Sequence, residues 1–245
     1  MKKLFITATD TDAGKTFVAC ALTQALINVG KKVAVYKPIA AGCQLDKGIL
    51  INEDAQLLSQ FANCDQSIRE VNPIAFVDPI APHIAAKKSD REISINDINQ
   101  GYQHIKATNA GADIIITEGA GGWRLPLAIN QDSSNNKNNK NIFLSDFVID
   151  TKQEVILIVN MKLGCLNHAL LSYQAIVADG LNCIAWIANS ATEQPMLNFD
   201  ENIASLEQLL PTPKMAQLSF YDDTTLSLHD KICAAANEID CSILK

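Results

Sequence analysis

Thr7-Ala8-Thr9-Asp10-Thr11-Asp12-Ala13-Gly14-Lys15-Thr16 follows the apolar run Leu4-Phe5-Ile6 and precedes Phe17-Val18-Ala19-Cys20-Ala21-Leu22. Strand, tight loop and helix in that succession read as a phosphate-binding loop. The first backbone N–H groups of a helix have no intrahelical partner and point at whatever anion sits above them. Lys15 is then placed to reach the outer phosphates of a nucleotide, and the Thr16 hydroxyl to ligate Mg²⁺. The usual pattern has a glycine five residues before Gly14; that residue here is Thr9, so the loop is a variant.

Outward from the loop, short β-rich runs alternate with helical patterns. Lys3–Thr9, Val33–Tyr36, Asp113–Thr117, Glu154–Asn160 and Leu181–Ala188 are the strand candidates, and their near-continuous apolarity marks a parallel sheet buried on both faces. Lys15–Val29, Glu53–Ala62, Ile95–Thr108, Cys165–Ala178, Phe199–Leu209 and Ser227–Ile239 read as helices, with Gly30 and Gly180 as stop signals. The expected fold is therefore α/β: a single P-loop NTPase-like domain over residues 1–245, with a mostly parallel central sheet flanked by helices on both faces. The polar, low-complexity stretch at about 130–141, Asn130 to Asn141, cannot repay its ordering entropy by burial. It reads as a mobile, solvated insertion rather than a lid.

The composition narrows the partners. With 48% hydrophobic and 19% charged residues, the chain buries one substantial core. A formal charge of -7 argues against non-specific binding to nucleic acid or an anionic membrane. No apolar run approaches membrane-spanning length and the N-terminus does not read as a signal peptide, so the expected location is cytosolic. The seven cysteines are scattered, with no Cys-x-x-Cys spacing, which favours reduced thiols over disulfides or a zinc site.

In an open α/β sheet the ligand lies beyond the carboxyl ends of the strands. Polar residues follow each candidate strand: the loop to Thr16, then Lys37-Pro38, Glu118-Gly119-Ala120-Gly121-Gly122, Lys162-Leu163-Gly164 and Asn189-Ser190. Glu118, with glycines that permit close backbone approach, is a second Mg²⁺ ligand candidate. Asp54 reads equally as a third ligand or as an ordinary helix-start acid. Lys37, its backbone restricted by Pro38, brings a second ammonium group towards Lys15, which suits a reaction that gathers negative charge. Gly164-Cys165-Leu166-Asn167 is open to two readings, a carboxylate-holding helix start and a plain glycine-led one. His83 and His168 have no second ligand at a metal spacing and read as structural.

Taken together, Thr9-Asp10-Thr11-x-x-Gly14-Lys15-Thr16, Tyr36-Lys37-Pro38, Val71-Asn72-Pro73, Pro82-His83-Ile84, Glu118-Gly119-Ala120-Gly121-Gly122-Trp123 and Lys162-Leu163-Gly164-Cys165-Leu166-Asn167-His168 resemble the motifs of the dethiobiotin synthetases, ligases of biotin biosynthesis, and occur in that family's order. The resemblance implies an ATP- and Mg²⁺-dependent ring closure of diaminopelargonic acid with CO₂ to give dethiobiotin, ADP and phosphate, in a homodimer. It implies nucleotide contacts from Asp12, Ala13, Gly14, Lys15, Thr16 and Phe17, from Asp54, Glu118, Gly119, Ala120 and Gly121, and from Asn189, Ser190, Ser219, Phe220 and Tyr221. Thr16, Asp54 and Glu118 would hold the metal. Lys37, Lys15 and Thr11 would be catalytic, with Lys37 and Thr11 stabilising the carbamate and mixed anhydride. Asp12, Lys37 and Ala41 would meet the substrate, and Gly164, Cys165, Leu166 and Asn167 would receive its carboxylate from a neighbouring subunit. The chain departs from the family pattern at Ala8, Ala41, Ser190 and Ser219. The alternative is a P-loop switch or partitioning-type ATPase, but such proteins carry an extra lysine near the loop's start, and Thr9–Ala13 has none.

Overall fold

The computed structural model describes residues 1–129, 141–194 and 196–244. All of the Asn-rich segment except Asn141 therefore lies outside the described residues. Six strands form the central sheet: β1 (Lys2–Ala8), β2 (Val33–Tyr36), β3 (Ile114–Glu118), β4 (Glu154–Asn160), β5 (Cys183–Asn189) and β6 (Lys214–Leu218), in the spatial order β6-β5-β4-β1-β3-β2. Every neighbouring pair in it is parallel.

Alternation of side chains along each strand divides the interior into two cores. Leu4, Ile6, Ile156 and Ile158 face one side, where they meet helices α1 (Lys15–Asn28), α2 (Glu53–Phe61) and, further on in sequence, α7 (Leu228–Ala236). Phe5, Val155, Leu157 and Val159 face the other, against α3 (Ile95–Thr108), α4 (Leu144–Thr151), α5 (Cys165–Ala178) and α6 (Phe199–Leu209). Both faces of the sheet are thus covered, which is why its strands read as continuous apolar runs. Full burial contributes about 1.5–3 kcal/mol for each large aliphatic side chain.

Several elements escape the sequence reading, β6 and α4 among them. β6 is an edge strand, and its Lys-Met-Ala-Gln-Leu pattern follows Pro211 and Pro213 with too little periodicity to stand out. Helix α4 begins at Leu144 without the Ser, Thr, Asn or Asp cap that signals a helix start; its first turn is closed instead by Asp146, whose Oδ2 accepts from the Phe143 N–H at 2.8 Å. Three two-stranded ladders, Ile39–Ala40 with Ile74–Ala75, Gln44–Asp46 with Ile49–Ile51, and Pro126–Ala128 with Ile142–Phe143, are too short to show a period. Among the described residues no helix is long and apolar enough to cross a membrane.

Candidate active site

The sheet order puts β1 between β4 and β3, so the loop leaving β1 is flanked by the ends of its two neighbours. Thr9 continues the ladder: its N–H donates to the Ile158 carbonyl at 2.9 Å, and its hydroxyl accepts from the Asn160 N–H at 3.1 Å. Thr9 is not among the residues with positive φ, so the position needs no glycine, which accounts for the variant loop. The left-handed turns fall later, at Asp12 (φ 58°) and Gly14 (φ 76°). Such turns aim successive N–H groups into one concavity. Gly14 is required twice over, since a Cβ there would sit 2.4 Å from Asn189 Nδ2. That amide donates to the Ala13 carbonyl at 2.8 Å and pins the loop to the end of β5.

Lys37 and Glu118 meet because of strand register. Tyr36 on β2 pairs with Thr117 on β3, so the next residue of each strand emerges at the same level. Lys37 Nζ donates to Glu118 Oε1 at 2.6 Å and lies 3.4 Å from Asp54 Oδ2. The Lys37 side chain is 4% exposed and that of Glu118 1%, whereas that of Asp54 is half-exposed at 52%. Thr16 Oγ1 donates to the same Glu118 oxygen at 2.8 Å. The Lys37 backbone is fixed as well, its N–H bonded to the Val71 carbonyl at 2.8 Å and its own carbonyl accepting from Asn72 Nδ2 at 2.7 Å. Burial pushes the Lys37 ammonium down, but the Glu118 and Asp54 carboxylates outweigh it and hold the pKa above the usual lysine value. Lys15 goes the other way. Burial lowers it, the Glu118 carboxylate opposes that, and the nearby Lys37 charge lowers it further. Its Nζ rests on the Asp10 carbonyl at 3.1 Å.

These groups share a cavity of about 780 Å³. Its lining is mixed: Thr11, Asp12, Lys15, Thr16, Lys37, Asp54 and Glu118 are polar, with the Gly119–Gly121 segment, and Ile39, Pro79, Ile80, Pro82 and Leu125 add apolar surface. Ala41 lines it too. The sequence reading did not find the apolar part. Its one trace there was the quoted Pro82-His83-Ile84. A second cavity of about 370 Å³ adjoins the first through Asp12, Gly14 and Phe17, and is lined by Asn189, Ser190, Ser219, Phe220 and Tyr221, with Ala191, Leu228 and Lys231 in addition. Phe17 and Tyr221 bring their rings to 5.6 Å there. Gly164, Cys165, Leu166 and Asn167 line neither cavity. Cys165 is buried, with its thiol 4.0 Å from Met196 Sδ and its backbone N–H donating to the Lys162 carbonyl at 2.9 Å.

The donor set suits Mg²⁺, which takes oxygen ligands and keeps several waters. Glu118 Oε2 is buried without a hydrogen-bond partner among the described residues, the kind of orphaned oxygen that a cation would satisfy. No group of three His, Cys, Asp or Glu side chains able to hold a metal occurs among the described residues.

A six-stranded parallel sheet, a loop at the end of a central strand and a Lys-Thr pair opening the next helix together define a P-loop NTPase-type protein. Known proteins agree. A ParA family ATPase from Chlorobium tepidum TLS superposes with a TM-score of 0.54 at 14% identity, covering 100% of this chain and 98% of its own. The MinD cell division protein of Aquifex aeolicus does so with a TM-score of 0.53 at 14% identity, covering 97% and 96%. At that identity they speak for the fold alone. A family model described as an AAA domain matches residues 2–226. The ATP-dependent dethiobiotin synthetase BioD of Alteromonas mediterranea is 45% identical over 224 residues, 90% of this chain and 93% of the relative. That of Pseudoalteromonas translucida is 41% identical over 228 residues, 93% and 94%. The chain belongs to the ATP-dependent dethiobiotin synthetase family.

Proposed function

We propose that this chain is a cyclo-ligase of biotin biosynthesis that uses ATP to close the cyclic urea of dethiobiotin on diaminopelargonic acid with CO₂. The observation that carries the reading is the mixed lining of the larger cavity, which Lys15 and Lys37 share with aliphatic side chains. That mixture matches a substrate with a reactive vicinal diamine on an alkyl chain. One amine takes up CO₂ as a carbamate, whose oxygen attacks the γ-phosphorus and releases ADP. The second amine then attacks the carbamoyl carbon, and phosphate leaves with the former carbamate oxygen as the ring closes.

The roles follow from position. The Asp12–Phe17 backbone cradles the phosphates. Lys15, its pKa lowered by burial against the pull of the Glu118 carboxylate, leaves the Asp10 carbonyl for the outer phosphates. Lys37, kept charged by Glu118 and Asp54, offsets the charge that gathers on the carbamate and the anhydride, with Thr11 donating beside it. Asp12 faces the substrate amines. Thr16, Asp54 and Glu118 would hold Mg²⁺, which neutralises phosphate charge when bound. The base occupies the smaller cavity between Phe17, Asn189 and Tyr221.

The homodimer belongs to the same proposal, with the Gly164–Asn167 backbone taking the substrate carboxylate of the adjoining subunit. Leu163 at 92% exposed and Leu171 at 56%, around the start and first turns of α5, supply the apolar surface such a contact needs. The function is tested by phosphate release from ATP with and without diaminopelargonic acid and bicarbonate. Strict dependence on both supports the ligase; turnover of ATP alone supports a switch-type ATPase and overturns it.

A further inference from the structure

One ion pair at the mouth of the phosphate loop has no part in the chemistry above. Lys162, just after β4, pairs its Nζ with Asp10 Oδ2. Asp10 is the residue whose carbonyl holds Lys15 Nζ at 3.1 Å. The two strand ends are locked together close by, through Thr9 one residue before Asp10 and Asn160 two residues before Lys162, so the pair sits on a fixed frame. Both side chains are partly exposed, Lys162 at 46% and Asp10 at 39%. The hydrogen bond from Lys162 is the main reason that the Asp10 carboxyl lies below its usual range, so Asp10 carries a full negative charge near neutrality.

A carboxylate beside a site that must accept a polyphosphate is a liability, because like charges repel across a partly desolvated cleft. Asp10 stands two residues before Asp12, and the loop that follows it wraps the anion. We infer that Lys162 is a positioning residue for nucleotide capture: by pairing with Asp10 it cancels the charge at the loop's mouth and holds the Asp10 carbonyl where it presents Lys15. The inference rests on the phosphate-loop reading. It goes beyond it in assigning to the β4–α5 connection a task in ATP binding rather than in substrate binding.

The arrangement makes a signed prediction. Lys162→Met leaves Asp10 as an uncompensated anion, so KM for ATP rises about three- to tenfold, the effect of losing one partly exposed pair against a highly charged ligand. The rise shrinks as ionic strength increases, and kcat stays within about twofold. Lys162→Arg keeps the charge and restores KM. The double variant Lys162→Met/Asp10→Asn removes the offending anion and lies closer to the parent enzyme than Lys162→Met does.

The experiment is a double-mutant cycle on steady-state KM for ATP, at low and high salt, with direct calorimetric binding of MgADP to each variant and thermal unfolding to confirm folding. An unchanged KM and ADP affinity in Lys162→Met overturns the inference. So does a double variant as impaired as the single one, which would make Lys162 a structural tie only. If Lys162→Met does not fold, the Arg variant and Asp10→Asn decide: Arg must preserve affinity, and Asp10→Asn, which leaves Lys162 an unbalanced cation, must lower KM for ATP at low salt and lose that gain at high salt, or the inference fails. Lys15→Gln separates the underlying reading, because a Lys15→Gln enzyme that still turns over ATP at the parent rate refutes the phosphate loop whatever Lys162 does.

Discussion

Replacing Lys37 by Met separates what this residue does for the fold from what it does for the reaction. The side chain is 4% exposed, and its ammonium is one of two donors to Glu118 Oε1, the other being Thr16 Oγ1. Breaking a buried pair by removing one partner costs about 3–5 kcal/mol. Thr16 still donates to the carboxylate, so the lower end applies, and the half-exposed Asp54 adds little. A loss of about 3 kcal/mol in a chain of this length lowers the unfolding midpoint by about 6–12 °C. Adding Glu118→Gln to Lys37→Met removes the stranded charge and recovers most of that loss, because a pair replaced as a whole is nearly neutral. Activity does not return. Turnover falls about 10²-fold or more in both variants, since the ammonium proposed to face the carbamate is gone, while in Lys37→Met, where Glu118 and the Asp12–Phe17 loop proposed to cradle the phosphates are kept, ADP affinity changes less than about threefold. Thermal unfolding, calorimetric ADP binding and steady-state turnover on the three proteins check this. The reasoning is refuted if Lys37→Met unfolds at the parent temperature, or if its nucleotide affinity falls in step with its turnover.

Gly14→Ala places a Cβ 2.4 Å from Asn189 Nδ2 at a backbone φ of 76°, so strain of about 1–2 kcal/mol combines with loss of the amide that holds the Ala13 carbonyl; MgADP affinity should drop more than about tenfold by calorimetry, and unchanged affinity would contradict the loop geometry. Lys37 also predicts a pH dependence. Its pKa is raised above the ordinary 10.5, so its contribution to stability is fully present below 10.5 and is lost as pH rises through the raised value. Urea unfolding of the parent and of Lys37→Met should therefore show a constant gap from pH 7 to 10 that narrows at higher pH, and a gap that widens there would contradict the assigned pairing.

Much of this site was legible because it lies on strand ends. Once Val33–Tyr36 and the run to Glu118 are read as strands of one parallel sheet, Lys37 and Glu118 must emerge on the same side, and the structure adds that β2 and β3 are neighbours in register. The phosphate loop was legible for the same reason. Less was visible where residues from distant loops meet. The 79–82 lining comes from an irregular segment before a short helix, whose prolines and alanines carry no periodic signal. The Lys162–Asp10 pair joins two connections that are remote in sequence, and neither residue belongs to a recognisable helix or strand pattern. Residues 214–218 were missed for their polar edge character, and 144–151 for want of a cap signal. The fold alone would also have left the switch-type alternative standing, since the ParA and MinD structures share it. The ordered set of motifs decides between them, and relatives at 45% and 41% identity bear it out.

The central claim is that Lys15 and Lys37 converge so that a carbamate oxygen can take the γ-phosphoryl group of ATP. It is tested most directly by rapid-quench turnover with doubly ¹⁸O-labelled CO₂, stopped before hydration erases the label. The account predicts one ¹⁸O in each phosphate released, in step with dethiobiotin formed. Phosphate free of label, with dethiobiotin still accumulating, would show that water and not the carbamate attacks ATP, and would contradict it.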